Sequence, residues 1–237
     1  MAKPCVTIGL RSGEIIYSSV NTVDLMGAFL DFYVAHPVET IPKELLDDVK
    51  LLISLGAVYM AFMPDDGLFA WTLSLPESRR KVFAAFDALT RSFVARSHSW
   101  EPKDYEKTPR LALQSVSRRL GLNSVSTFDC IEKLSSEETI RHLFVRHLRD
   151  NGFSDYRIES AGEELLLKYP DEDTGGCDDL FRIHLTFKCG CTKERVASVF
   201  SGISRADRDF LFEKNRTVTV ECPRCGMKYE LRKNEIK

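Results

Sequence analysis

Two pairs of closely spaced cysteines near the end of the chain constrain its fold more than any other feature. Cys189-Gly-Cys191 and Cys222-Pro-Arg-Cys225 hold four of the seven cysteines. Two such pairs, joined by a loop that can fold back, can place four thiolate sulfurs at the corners of a tetrahedron about 2.3 Å from a Zn²⁺ ion. We therefore predict one structural zinc site with Cys189, Cys191, Cys222 and Cys225 as ligands.

Two alternatives to a zinc site stay open: chance clustering of buried cysteines, and a pair of structural disulfides. The chain also has Cys5, Cys130 and Cys177, which lie apart from one another, and this is not typical of a secreted disulfide scaffold. We interpret these three as inert packing or surface thiols, and we expect Cys177 to be the most easily oxidised of them.

The segment between the cysteine pairs predicts a small unit with little core of its own. Its pattern predicts short helices over 192–202 and 205–214, then a strand over 217–220 that pairs with 227–231. A unit of about fifty residues with few large apolar side chains cannot bury enough surface to fold alone. Metal binding must therefore supply much of the folding free energy of this unit. The apparent free energy of zinc binding at structural sites of this kind is roughly 10–16 kcal/mol.

The residues around both cysteine pairs carry a resemblance to a known family. The two runs are Phe187-Lys-Cys-Gly-Cys-Thr-Lys-Glu-Arg-Val196 and Glu221-Cys-Pro-Arg-Cys-Gly-Met-Lys-Tyr229. They resemble the carboxyl-terminal redox switch of the heat shock protein 33 family of chaperones. The resemblance is close over 187–237, rests only on the order of elements over 6–100, and is lost in the middle of the chain, which is shortened or rewritten.

This resemblance implies a redox-regulated, ATP-independent chaperone, or holdase, that acts in oxidative stress and heat shock. It implies that the zinc site senses oxidants and releases its metal when disulfides form between Cys189 and Cys191 and between Cys222 and Cys225. It further implies unfolded or aggregating client proteins as partners, and a homodimer in the oxidised state.

The chain as a whole predicts an α+β fold: a mixed β-sheet amino-terminal domain with packed helices, followed by a small carboxyl-terminal zinc-binding domain. We expect a core domain over 1–134, a helical or extended linker region over 135–186 and the redox-switch domain over 187–237. The predicted elements are a hairpin over 6–10 and 14–18, helices over 23–35, 45–63 and 135–150, and strands over 68–75, 82–86, 93–96, 156–158, 165–168 and 181–188, with 111–120 helical or extended.

Charge and hydropathy exclude several partners. The formal net charge of −2 argues against a nucleic-acid protein that relies on bulk electrostatics. The longest apolar run, over 51–63, is too short to span a bilayer, and the first residues have no signal-peptide core. We therefore expect a soluble, cytoplasmic protein with no membrane partner.

Other residues that could carry chemistry favour structural interpretations. His142 and His147 lie five positions apart, which does not place them on one helix face, and we interpret them as surface or half-buried histidines. Asp65-Asp66 and Asp171-Glu-Asp173 lie in predicted turns, where Asp bonds locally. The sequence has no phosphate-binding Gly-Lys loop and no nucleophile elbow, so we do not expect an enzyme.

One hypothesis from another class stays open: a constitutive zinc-stabilised module that binds a protein or nucleic acid without redox switching. Its support is a mild basic bias at the end of the chain, from Arg216, Arg224, Lys228, Arg232 and Lys233. Without interleaved exposed aromatic residues, such a bias is more typical of an ordinary solvated face.

Overall fold

The computed structural model describes residues 3–36, 43, 46–103, 107–170, 172, 174–213 and 216–236. Parts of three predictions lie outside the described residues: the start of the second helix at Leu45, the end of a short helix at Lys214, and the acidic positions Asp171 and Asp173.

The described residues form strands and helices in the following order. The strands are β1 (Cys5–Arg11), β2 (Glu14–Asn21), β3 (Gly67–Leu75), β4 (Arg80–Asp87), β5 (Ser92–Ser99), β6 (Arg110–Ser117), β7 (Leu122–Asp129), β8 (Arg157–Ala161), β9 (Glu164–Lys168), β10 (Asp179–His184), β11 (Thr186–Phe187), β12 (Thr217–Glu221) and β13 (Lys228–Arg232). The α-helices are α1 (Thr22–Ala35), α2 (Leu46–Tyr59), α3 (Ser136–Asp150), α4 (Lys193–Ser198) and α5 (Arg205–Leu211).

The first sheet joins segments that are far apart in the sequence. Its strand order is β10-β1-β2-β9-β8, and all neighbouring strands are antiparallel. The predicted hairpin β1–β2 turns at Gly13, whose φ of +83° suits glycine. Strands β8, β9 and β10 lie in the segment 135–186, which thus bonds to the amino-terminal hairpin through its backbone. The proposed domain boundaries remain a prediction.

The second sheet has the strand order β11-β5-β4-β3-β6-β7. Strand β3 was predicted over 68–75; every second residue along it is buried, and Phe69, Trp71 and Leu73 face the core. The segment 111–120, which the sequence left as helical or extended, is mostly strand β6. Strand β7 was not predicted, because only Phe128 on it is buried and its sequence therefore lacks an apolar alternation.

Helix α2 forms the centre of the core and contacts both sheets, through β4 in one and β2 and β9 in the other. Every residue from Leu52 to Tyr59 is buried, which explains why this stretch is apolar on nearly all faces, with Ser54 as its buried polar side chain. Gly56 allows the close approach to β4, since a Cβ atom there would overlap the ring of Phe86. None of the described helices combines the length and the apolar character that crossing a bilayer requires.

Helix α3 confirms its predicted start and end. The side chain of Ser135 accepts a hydrogen bond from the backbone N–H of Glu138, and the Glu138 carboxylate accepts one from the Ser135 N–H, which completes a capping box. Gly152, with a φ of +83°, follows the last turn. The α+β prediction is confirmed, with a small four-cysteine unit at the carboxyl-terminal end.

Candidate metal centre

The first cysteine pair lies in a tight turn between β11 and α4. Gly190 has a φ of +67°, which lets the chain reverse between Cys189 and Cys191. The guanidinium of Arg195 donates to the Gly190 carbonyl oxygen over 2.7 Å. The Thr192 side chain accepts from the Arg195 N–H and caps α4, at the start of the helix that the sequence predicted over 192–202. The turn is therefore held by the helix that follows it.

The second pair lies in the tight turn between β12 and β13. The Cys222 N–H donates to the Met227 carbonyl over 2.8 Å, and the Gly226 N–H donates to the Cys222 carbonyl over 2.9 Å. Gly226 has a φ of +79°, which lets the backbone turn directly after Cys225. The strand pair β12–β13 was also predicted and is present.

The fold brings the four cysteine sulfurs together. All four lie within 4.8 Å of one another; the Sγ atoms of Cys189 and Cys222 are 3.6 Å apart, and those of Cys191 and Cys225 are 3.4 Å apart. Four ligands about 2.3 Å from one ion at tetrahedral angles would be about 3.8 Å apart, so the cluster fits such an ion. Within the described ranges no other group of three or more His, Cys, Asp or Glu side chains converges in this way.

The donor set agrees with this geometry. The thiols share hydrogen bonds, and those from Cys189 and Cys225 hold the pKa of Cys222 far below its usual range. The same bond to Cys222 raises the pKa of Cys189 to about 12. The protein groups alone thus favour ionisation at Cys222, and a divalent cation would supply the charge that holds all four sulfurs as thiolates. This chain therefore positions four cysteines to bind a metal ion.

Tyr229 is a further residue of the centre that the ligand prediction did not include. Its hydroxyl oxygen lies 3.0 Å from the Cys191 Sγ and 3.2 Å from the Cys191 carbonyl oxygen. Partial burial and the neighbouring Cys191 raise the pKa of the Tyr229 phenol, so that it stays a donor. The sequence feature that could have indicated this role is the position of Tyr229, four residues after Cys225 on a strand whose side chains alternate between the two faces.

The cysteine cluster packs directly on the second sheet. Cys222 and Cys225 are buried against Ala85 of β4 and Val94 of β5. Phe187 of β11 lies beside the cluster and stacks edge-on against Phe93, with ring centroids 5.2 Å apart. The centre is therefore part of the interface between the carboxyl-terminal unit and the rest of the molecule.

Three comparisons with known proteins bear on this geometry. The Hsp33 protein family model matches residues 129–232, which include all four cysteines. A solved structure of the 33 kDa chaperonin, or heat shock protein 33 homolog, of Thermotoga maritima shares the fold: the TM-score is 0.64, the sequence identity is 9%, and the match covers 99% of this chain and 97% of that chain. The chain resembles the Hsp33 family in sequence and in fold.

Curated relatives of the Hsp33 family match over a shorter stretch. A 33 kDa chaperonin of Thermodesulfovibrio yellowstonii is 38% identical over 58 residues, which are 24% of this chain and 20% of that protein. A 33 kDa chaperonin of Agathobacter rectalis is 35% identical over 51 residues, 22% of this chain and 18% of that protein. This chain thus spans about a fifth of the length of the curated relatives that it matches. The Hsp33 family match also reaches into the middle of the chain, from residue 129, where the sequence resemblance had been lost.

The two histidines singled out in the sequence lie apart from the Hsp33-like metal centre. His142 is half-buried, as predicted, but His147 is completely buried, so the prediction of a surface or half-buried position was wrong for it. His147 lies among aromatic rings of the core, including Tyr59 and Trp71, since the adjacent turn of α3 faces the second sheet.

The other predicted side chains also lie outside the centre. Cys130 is buried and Cys5 is half-buried, while the Cys177 thiol donates to the Thr174 carbonyl over 3.2 Å. The Asp66 carboxylate accepts from the backbone N–H of Arg119 over 2.5 Å, and Arg119 lies 53 positions away in the turn between β6 and β7, so this bond is not the local one that the sequence predicted. These residues have structural surroundings, and the structure brings none of them to the four-cysteine cluster.

Proposed function

We propose that this chain is a redox-regulated, ATP-independent chaperone of the holdase type whose four-cysteine site binds one zinc ion. The observation that carries the proposal is the cluster of four sulfurs within 4.8 Å of one another, inside the stretch that matches the Hsp33 family. Four soft thiolate ligands that leave no open position favour a structural Zn²⁺ over a catalytic ion. Bound zinc would hold the sulfurs as thiolates and supply much of the folding free energy of the unit.

The redox step follows from cysteine chemistry. A thiolate attacks a peroxide oxygen and becomes a sulfenic acid, while the other oxygen leaves as hydroxide and takes up a proton to form water. A second cysteine then attacks the sulfenic sulfur, so that a disulfide forms and a second water leaves. Disulfides Cys189–Cys191 and Cys222–Cys225, which the family resemblance implies, would leave no thiolate to hold zinc.

Loss of these ligands would uncover apolar surface on the second sheet. Ala85 and Val94 are 2% and 1% exposed because Cys222 and Cys225 cover them, and Phe32 and Phe83 pack at the same contact. When the small unit unfolds, this patch becomes accessible to unfolded or aggregating client proteins. Reduction in the presence of zinc reverses the change, which suits a protein of the cytoplasm, where thiols are kept reduced. The oxidised form is proposed to dimerise.

One combined experiment tests this function. Zinc release is followed with a colorimetric chelator, and light scattering of a heat-denatured client is recorded before oxidation, after peroxide at elevated temperature, and after reduction with zinc. We expect one zinc ion to be released as aggregation is suppressed, and both changes to reverse. The Cys177→Ser variant is the control, because Cys177 lies outside the cluster and should leave release unchanged.

Two results would contradict the proposal. Complete zinc retention under peroxide and heat would exclude the switch. Client binding of equal strength in the reduced and oxidised protein would favour the constitutive zinc-stabilised module instead, and salt-sensitive binding of RNA or DNA by the reduced protein would favour its nucleic-acid form. Mapping the disulfides by mass spectrometry separates pairing within each cysteine pair from pairing between Cys189 and Cys222.

A further inference from the structure

A basic cavity lies between the second sheet and the carboxyl-terminal unit, with Cys189 in its wall. Its volume is about 350 Å³, and Lys188, Arg195 and Arg224 line it on the side of the cysteine cluster. On the opposite side the lining comes from β4 and β5 and from the turn between them, including Ser92 and Thr90. The cavity thus has one wall from each of the two parts that meet at the four-cysteine cluster.

The charges around this cavity are not balanced by protein carboxylates. Asp87 and Arg118 also line it, but they pair with each other: both Asp87 oxygens accept from the Arg118 guanidinium, over 2.6 and 3.0 Å. Among the described residues, no carboxylate forms an ion pair with Lys188, Arg195 or Arg224. Besides Arg118, three cationic side chains therefore line the cavity; Arg224 is half-buried, and Lys188 and Arg195 are exposed to solvent. Together they make the potential at the cavity positive.

Neutral hydrogen-bonding groups complete the lining. The hydroxyls of Thr90 and Ser92 lie 2.8 Å apart, and Ser92 is 8% exposed. One guanidinium N–H group of Arg195 donates a hydrogen bond to the Gly190 carbonyl oxygen, and the other N–H donors of Arg195 can bind a ligand. A set of guanidinium, ammonium and hydroxyl donors is the combination that binds a tetrahedral oxyanion.

We propose that this cavity binds a small oxyanion of the phosphate class. The bound anion bridges Ser92 on the second sheet and Arg195 and Arg224 on the carboxyl-terminal unit, so it favours the docked state of that unit. By mass action, an anion that binds only the docked state slows any process that requires undocking. Zinc release on oxidation is such a process. The slowing of zinc release by the anion rests on the proposed function, whereas the binding of the anion to the cavity does not.

The binding test uses the zinc-loaded full chain under reducing conditions and inorganic phosphate as the probe. Isothermal titration calorimetry at constant ionic strength is expected to show one site with a dissociation constant of about 1 mM or below. The variants Lys188→Gln and Arg224→Gln should each weaken binding about tenfold, since each removes one charge-assisted contact. Lys228→Gln is the matched control, because Lys228 is an exposed lysine of β13 outside the cavity lining, and it should bind phosphate as the parent does.

The results of these measurements separate failure of the anion site from failure of the proposed redox function. Absence of saturable phosphate binding, or equal binding by the Lys188→Gln, Arg224→Gln and parent proteins, overturns the anion site. Phosphate should also slow peroxide-driven zinc release at least about twofold at saturation, and chloride at equal ionic strength should not. If zinc is not released even without phosphate, the redox function fails, and the calorimetric result still decides the site.

Discussion

Arg96 of β5 forms an ion pair with Glu221 at the end of β12, and its other terminal nitrogen donates to the Cys222 carbonyl oxygen over 3.1 Å. The Arg96 side chain is 13% exposed and that of Glu221 is 34% exposed. One arginine of the second sheet thus contacts both the strand that leads into the second cysteine pair and the backbone of its first cysteine.

Removal of this contact should loosen the carboxyl-terminal unit. In Arg96→Met the Glu221 carboxylate and the Cys222 carbonyl lose their partner in a partly buried place, which should cost about 1–3 kcal/mol. We expect faster hydrogen exchange over 187–236 and faster zinc loss to a chelator. Arg79→Met is the control, because the Arg79–Glu101 pair is 69% and 82% exposed and should matter little. Equal exchange in the two variants would contradict this role of Arg96.

The Tyr229 hydroxyl should strengthen metal binding through Cys191. Tyr229→Phe removes the group 3.0 Å from the Cys191 sulfur and leaves the ring in place. Loss of a hydrogen bond to a ligand typically lowers metal affinity about tenfold or more, so competition with a chromophoric chelator should detect it. Tyr169→Phe is the control: this ring makes an edge-to-face contact with Tyr156, outside the metal centre. An unchanged affinity in Tyr229→Phe would show that the hydroxyl only supports the turn.

His147 should make the protein less stable as the pH falls. Burial lowers its pKa to about 4, below its ordinary value of 6.5, so the folded protein resists its protonation. Below pH 6.5 the unfolded chain binds a proton that the folded chain does not. The free energy of unfolding should therefore decrease by up to about 1.4 kcal/mol for each pH unit between about 6.5 and 4, and the contribution is fully present above pH 6.5.

Urea unfolding at several pH values measures this slope. The variant His147→Phe should show a smaller decrease over the same pH range, because it has no group to protonate among the aromatic rings. His142→Gln is the control on the same helix and should retain the slope of the parent protein. If His147→Phe and the parent lose stability in parallel, another group is responsible.

Gly56 should be required for the packing of α2 on β4. In Gly56→Ala the added Cβ meets the Phe86 ring, whose buried position leaves little room to move. Although alanine favours helices, we expect a destabilisation of about 1–3 kcal/mol from overpacking, measured as a lower Tm. Gly202→Ala should change stability by less than about 0.5 kcal/mol, since the described atoms leave open space around its Cβ. A Tm increase in Gly56→Ala would contradict the packing argument.

Local features of this protein were predictable from the sequence alone. The spacing of Cys189, Cys191, Cys222 and Cys225, the capping box at Ser135 and the alternation along β3 all depend on residues close together in the chain. Their geometry follows from backbone periodicity and short-range hydrogen bonding, which any window of a few residues contains. The zinc-site hypothesis and the fold class came from this level; the structure confirms the fold class and brings the four sulfurs within 4.8 Å of one another.

Only the tertiary structure decided the contacts between distant segments. It pairs β1 with β10 across most of the chain, buries His147 among aromatic rings, places Arg96 against Glu221, and gathers four cationic side chains around one cavity. Such contacts depend on which sheet faces meet, and many arrangements share the same local pattern. The sequence by itself determined that the carboxyl-terminal unit is organised around four cysteines. The tertiary structure decided which surface of the second sheet that unit buries, because burial depends on the shapes of both packed surfaces.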